Sequence, residues 1–346
     1  MNEKYDSKKM KPICNGLQHI GIGVSDMTST VEFYSRVLGF RFHLGSLIFH
    51  AEELRPMMGR APRLHIVNLA HPAGGPTLEF FLLKDGNPAY GEGCRAMNFP
   101  PICELGLAVS GAWALASEMS RRYGISILKK FDSGATGETA WKSVLIEGPD
   151  RVRIRLMETS LPGSVEKAGR IFGICHMGVN VSNLEKASVF YSSLGFNLTI
   201  REEVMAHPQS GNKTIVRTLG RASKFTSALS SLDGGQILLF PRPRESGPIP
   251  DVSDRFGTPG ITEIGLDVDD VDSVYQYGLE NGARPLVPPR PFDWGWGPCG
   301  KLAYAAGPDG AVLEFVRLDS SFHLPPKLLD LCIIRPMRWL NRKGVL

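Results

Sequence analysis

The chain has 346 residues, enough for roughly two domains of about 150 residues each, and its 42% hydrophobic and 21% charged content is that of a soluble globular protein. A net charge of +4 over this length makes no case for a nucleic-acid partner, and no run of about 18 uninterrupted apolar residues is present to span a bilayer. Six scattered cysteines without a C-x-x-C pair argue against a disulfide framework and for a reducing, cytoplasmic home.

Residues 1–16 open polar and lysine-rich and are expected to form a disordered leader. From Leu17 to Val24 the chain alternates with period two, which predicts a strand with two unlike faces. Ile20, Ile22 and Val24 make the apolar face; His19 and Gly21 lie on the other. A helical spacing follows in Val31, Tyr34, Val37 and Leu38, stopped by Gly39. Gly74-Gly75 then turns the chain into a last strand carrying Glu79.

The same strand signature recurs three times: Glu104 and Gly106, His176 and Gly178, Glu263 and Gly265. An ionisable group beside a glycine calls for room and a charged partner. At one constant spacing His19, Gly21, Val24, Ser25, Phe33, Tyr34 and Ser35 repeat as His176, Gly178, Val181, Ser182, Phe190, Tyr191 and Ser192, which makes the first and third modules a true internal repeat. Ser182 with Glu185 reads as a capping box. The second and fourth modules match likewise, from Glu104-x-Gly106 and Glu263-x-Gly265 to the turns Gly148-Pro149-Asp150 and Gly307-Pro308-Asp309. In this alignment Leu239 stands opposite Glu79, and Arg155 opposite Glu314.

A two-module unit has therefore been duplicated. The aperiodic stretch near Ser160 to Gly169 places the seam between a first unit, 17–159, and a second, 172–318. Residues 319–346 form an amphipathic tail in which leucines and Trp339 mix with arginines and lysines; Pro336 interrupts any helix there. Packing on the body or on a second subunit, or contact with a membrane surface, fits such a segment, and a monomer or a homodimer is expected.

The motifs H-x-G-x-x-V, F-Y, L-G-F and the Gly307-Pro308-Asp309-Gly310 turn before Glu314 resemble the vicinal oxygen chelate superfamily, the group of glyoxalase I, bleomycin-resistance proteins, methylmalonyl-CoA epimerase and extradiol dioxygenases. The resemblance spans about residues 17 to 318. It implies an α+β fold of four βαβββ modules paired into two open, barrel-like domains, and a divalent metal held by the first and last strands of the modules. Carried over residue by residue, the second unit supplies His176, Glu263 and Glu314, with Leu239 unable to ligate. The first supplies His19, Glu79 and Glu104, with Arg155 in the fourth place, where a salt bridge to Glu79 or Glu104 is the competing outcome. Some relatives build the site from the first and last modules, in which case His19 would replace His176 beside Glu263 and Glu314.

A one-histidine, two-carboxylate set suits Fe²⁺ or Mn²⁺, with Mg²⁺, Zn²⁺ and Co²⁺ also open. The competing reading of Glu263 is an ion pair with an arginine such as Arg217, and that of His176 a hydrogen-bonded core histidine. Phe292, Trp294 and Trp296, in a loop of glycines and prolines, suit the wall of a substrate pocket. Tyr304 ahead of Glu314 resembles the C-terminal signature of extradiol dioxygenases, and His207 is a candidate general acid or base. The expectation is a metal-dependent enzyme for a small molecule chelating through two vicinal oxygens, leaning to ring-cleaving dioxygenase. A glyoxalase- or epimerase-type isomerase or lyase, and a ligand-sequestering protein of the bleomycin-resistance kind, are the alternatives.

Overall fold

A computed structural model describes residues 14–85, 99–132, 142–158, 169–220, 235–243, 247, 249, 251–293 and 299–319. Residues 1–13 of the expected leader, the tail beyond Asp319, Trp294 and Trp296 lie outside the described residues, and Cys14–Gly16, expected in the leader, instead open the first strand because Cys14 is buried in the core. Among the described residues sixteen strands form two eight-stranded sheets, in which the middle strands of the modules, β2 (Phe42–His50) and β3 (Arg63–Ala70), β6 (Ile127–Asp132) and β7 (Lys142–Glu147), β10 (Leu198–Ala206) and β11 (Lys213–Gly220), and β14 (Arg284–Asp293) and β15 (Cys299–Ala306), flank the opening and closing strands. The opening strands of the modules are β1 (Cys14–Gly23), β5 (Ile102–Val109), β9 (Ile171–Val181) and β13 (Gly260–Val268). The closing strands are β4 (Thr77–Leu83), β8 (Arg153–Glu158), β12 (Gln236–Pro241) and β16 (Val312–Leu318). No described helix is long and apolar enough to cross a membrane.

Module pairing differs from the expected 17–159 and 172–318 units. β1 runs antiparallel to β13, and β5 to β9, so module one closes with module four while two and three pair inside them. The physical reason is degeneracy. All four opening strands carry an ionisable residue two before a glycine, so this motif fits any antiparallel pair of them and names no partner.

The apolar faces of the opening strands meet in one core. Ile20, Ile22 and Val24, Leu105, Leu107 and Val109, Met177, Val179 and Val181, and Ile264, Leu266 and Val268 all belong to a single buried cluster. The four longer helices are α1 (Met27–Arg36), α2 (Ala112–Tyr123), α3 (Leu184–Ser193) and α4 (Val271–Glu280), each of which adds buried residues to that core. Asp26 caps α1 through the Ser29 amide at 2.7 Å, and Asn183 caps α3 through the Lys186 amide at 2.9 Å. The expected Ser182–Glu185 box is absent because both residues have other partners: Ser182 donates to Asp309, and Glu185 binds Arg217.

That Asp309 contact has a twin. The turn aspartate of module four accepts from the Ser182 amide and hydroxyl at 2.8 and 2.6 Å, and the turn aspartate of module two, Asp150, accepts from the Ser25 amide and hydroxyl at 3.1 and 2.6 Å. Each sheet thus fastens the head of a helix belonging to the other. Replacing Asp309 by alanine strands the Ser182 amide, so Asp309→Ala should lower unfolding free energy by about 1–3 kcal/mol in urea titration.

Candidate metal centre

The ionisable faces of the opening strands line the concave side of each sheet. In the first sheet His19 lies opposite Gly265, and Glu263 opposite Gly21, across the β1–β13 pair. The parallel neighbours complete the set: Glu79 of β4 is level with Gly21, and Glu314 of β16 with Gly265. Four side chains therefore converge over two glycines. A Cβ on Gly21 would sit 2.4 Å from Glu263 Cγ, and one on Gly265 2.2 Å from His19 Cε1. Only glycine leaves the side chain opposite its place.

All four groups are buried. His19 Nε2 lies 3.0 Å from Glu314 Oε2 and 3.5 Å from Glu263 Oε1. One ligand atom each of His19, Glu79 and Glu263 fall within 4.8 Å of one another. Burial works against charge on His19, but the Glu314 carboxylate, with Glu263 and Glu79, outweighs it and holds the imidazole well above its ordinary range. Burial pushes the Glu263 carboxyl up to about 8, His19 opposing and the Glu314 and Glu79 charges adding to the rise. Burial likewise raises Glu79.

Three carboxylates share at most one positive charge here, since among the described residues their only ion-pair partner is His19. Glu263 Oε2 is buried and has no hydrogen-bond partner. Ionised together, the three carboxylates would exceed the one positive charge of His19 by two, and Glu263 Oε2 would stay unsatisfied; a divalent cation removes both costs. The residues present fit such an ion: His19, Glu79 and Glu263 bring their ligand atoms together, and Glu314 adjoins His19 Nε2.

The walls are apolar and aromatic. Phe81, Phe256, Phe292 and Tyr304 share a buried cluster with Leu54, Met57 and Val252, contributed by the short helical segments Glu52–Leu54, Arg55–Met58 and Val252–Arg255. Phe256 bridges Phe81 and Tyr304, with ring centroids 5.8 and 6.1 Å away. Tyr304 pairs with Glu314 across β15 (Cys299–Ala306) and β16. Burial, aided by the Glu263 and Glu314 charges, lifts its phenol well above the ordinary value, so it stays a neutral hydroxyl.

The second cup has the same geometry and the opposite electrostatics. His176 stands over Gly106, and Glu104 over Gly178. Arg155 is level with Gly106, the place Glu314 takes in the first sheet. The residue level with Gly178 is Leu238, not Leu239, which belongs to the core; from the Gly-Gly turn to this level module three is one residue shorter than module one. Arg155 donates to both Glu104 oxygens at 2.8 and 2.9 Å and to the Ala206 carbonyl at 2.7 Å, and His176 Nε2 lies 2.9 Å from Glu104. Burial opposes ionisation of Glu104, yet Arg155 and His176 hold it down at about 2. Burial also opposes charge on His176, but Cys175 and Glu104 lift it to about 9. A guanidinium thus occupies the role left to a cation in the other cup.

The expected set His176, Glu263 and Glu314 is therefore divided between two sheets, because module three pairs with module two. The alternative set His19, Glu263 and Glu314 is brought together, and Glu79 joins it. In the set His19, Glu79 and Glu104, Glu104 is lost to Arg155, the salt bridge foreseen for it. Arg217 pairs with Glu185 and Glu202, not Glu263. His207 lies in the second cup, its Nε2 3.0 Å from Asn180 Oδ1 and its ring against Phe99 and Phe240, apart from the three carboxylates of the first cup. Burial depresses its imidazole to about 4. The segments bearing Leu54, Met57 and Phe256 escape sequence reading, since they are too short to show a helical period.

The family model for the Glyoxalase/Bleomycin resistance protein/Dioxygenase superfamily matches residues 16–89 and 173–315. No curated protein matches the chain. Among solved structures, a glutamate-to-glutamine variant of glyoxalase I from Zea mays is similar at TM-score 0.55 and 15% identity, over 87% of this chain and 93% of that one. A protein of Bacillus subtilis subsp. subtilis str. 168, named as a candidate dioxygenase, reaches TM-score 0.57 at 14% identity over 97% of both chains.

Two outcomes follow from the paired cups. Arg155→Met leaves Glu104 buried and short of a partner, so it should cost about 3–5 kcal/mol in denaturant unfolding while leaving the composition of the first cup untouched. His176 is charged more readily folded than unfolded, so the stability it adds is fully present below pH 6.5 and is lost as pH rises through about 9. The stability gap between the parent and His176→Gln should accordingly be widest below pH 6.5 and close toward pH 9.

Proposed function

Since the chain belongs to the Glyoxalase/Bleomycin resistance protein/Dioxygenase superfamily, we propose that it is a divalent-metal-dependent enzyme whose substrate is a small organic molecule with two vicinal oxygens, and that it moves a proton next to a polarised carbonyl. The supporting observation is the cluster of ligand atoms: those of His19, Glu79 and Glu263 fall within 4.8 Å of one another, and Glu314 lies 3.0 Å from His19 Nε2. These residues would hold the ion and leave it room for two adjacent substrate oxygens. Three carboxylates with one imidazole favour Mn²⁺, Fe²⁺ or Mg²⁺ over softer ions. The ion, when bound, polarises the chelated oxygens and stabilises negative charge developing on them.

The chain's own groups supply the rest. Glu263, whose Oε2 is without a hydrogen bond and whose carboxyl is raised toward neutrality, is placed to take and return a proton on a substrate carbon. Tyr304 donates a hydrogen bond from its neutral hydroxyl. Phe81, Phe256 and Phe292 exclude water around the reacting carbon, which strengthens each electrostatic contact there. Tyr304 beside Glu314 favours a second reading, ring cleavage of an aromatic diol.

Metal analysis of anaerobically purified protein should give about one Mn or Fe per chain, lost in Glu314→Gln and Glu79→Gln and kept in His176→Gln. Metal-loaded protein should catalyse deuterium exchange at carbon beside the carbonyl of vicinally oxygenated substrates, followed by proton NMR, without oxygen uptake. Stoichiometric oxygen uptake with catechols would establish the second reading. Negligible metal in the parent and no effect of either carboxylate change would overturn both.

A further inference from the structure

The residue before each cup histidine occupies a bulge. In the β1–β13 pair the register passes from Leu17–Leu266 to His19–Gly265, so Gln18 has no partner across the ladder. In the β5–β9 pair it passes from Gly106–His176 to Leu107–Ile174, which skips Cys175. A bulge puts two consecutive side chains on nearly one face and so re-aims a residue that regular alternation would turn away. In both sheets it delivers the side chain to the Nδ1 of the neighbouring histidine: Gln18 Oε1 to His19, Cys175 Sγ to His176 at 3.4 Å. Gln18 and Cys175 occupy equivalent positions of the internal repeat.

A neutral imidazole carries its proton on one nitrogen and a lone pair on the other. The nitrogen facing the carboxylates of the first cup is Nε2. For Nε2 to offer its lone pair to a cation, Nδ1 must hold the proton and needs an acceptor. We propose that Gln18 is a positioning residue that accepts the Nδ1 proton of His19, fixing the tautomer and ring orientation in which Nε2 faces the three carboxylates. This rests on the reading of the first cup as a metal centre. The internal repeat is the control: where arginine replaces the cation and the histidine serves an ion pair, the amide acceptor is replaced by a thiol, a weak acceptor. The bulge is common to both cups; only the acceptor is particular to the carboxylate-rich one.

The test is calorimetric titration of Mn²⁺ into the metal-free full-length chain, with melting of the metal-free protein alongside. Gln18→Leu removes the acceptor and keeps the length; Gln18→Glu keeps an acceptor; Cys175→Ala alters only the second cup. Gln18→Leu should weaken Mn²⁺ binding by about 10–100-fold, with metal-free melting unchanged, while Gln18→Glu and Cys175→Ala bind as the parent does or, for the glutamate, more tightly. In the diamagnetic Zn²⁺ form, nitrogen-15 shifts of His19 should report a proton on Nδ1 in the parent. Gln18→Leu binding within about threefold of the parent overturns the role of Gln18 and leaves the metal centre standing. If Gln18→Leu also lowers metal-free melting, Gln18→Glu decides: retention of the parent affinity supports the role, and loss of it overturns it. No Mn²⁺ uptake by the parent overturns the metal centre itself, and the role with it.

Discussion

Everything in this molecule hangs on an ionisable side chain standing over a glycine of the antiparallel strand beside it. The contact is made four times, twice in each sheet: His19 over Gly265, Glu263 over Gly21, His176 over Gly106 and Glu104 over Gly178. A Cβ at any of the four glycines would come within 2.5 Å of the facing side chain. The glycines thus admit polar groups to the concave floor of a sheet whose other face is core. Once admitted, those groups are cut off from water, and their charges must be balanced locally.

The duplication solved that balance in two ways. In the second cup one carboxylate meets a guanidinium and an imidazole, all held in short hydrogen bonds, and no negative charge is left without a partner. In the first, three carboxylates face one imidazole and the balance is left open. Two positions make the difference. Glu314 against Arg155 exchanges a negative charge for a positive one, and Glu79 against Leu238 adds a third carboxylate. One cup pairs its carboxylate within the folded protein; the other gathers three carboxylates around a single imidazole.

Much of this was legible in the residues. The period-two strands, the glycine beside each ionisable group, the repeat of modules and the exchange of Arg155 for Glu314 are all visible in spacing and residue type. Module pairing was not, because the glycine motif is the same in all four opening strands. That one ambiguity moved His176 out of the expected ligand set and brought in His19 and Glu79. The offset of Leu238 by one residue was hidden too, since the connection before β12 differs in length between modules and only strand register fixes it. His207 illustrates a third limit: a loop histidine carries no periodicity, and the cup it enters depends on which sheet its module joins.

Pairing the outer modules with each other and the inner ones with each other also distributes stability. A cup that concentrates unbalanced carboxylates is a local cost to the folded state, and it must be held by structure formed elsewhere. Here the core runs unbroken from the opening strands of one sheet to those of the other. The turn aspartates Asp150 and Asp309 fasten helix heads across the same boundary. The second cup, where His207 bonds Asn180 and Gln209 donates to the Cys103 carbonyl, shares that core with the first. Its stability therefore supports a floor of charges that the first sheet alone would be poorly placed to hold, which gives the arginine-bearing half of the duplication a physical role: it lets the other half keep its carboxylates buried and convergent.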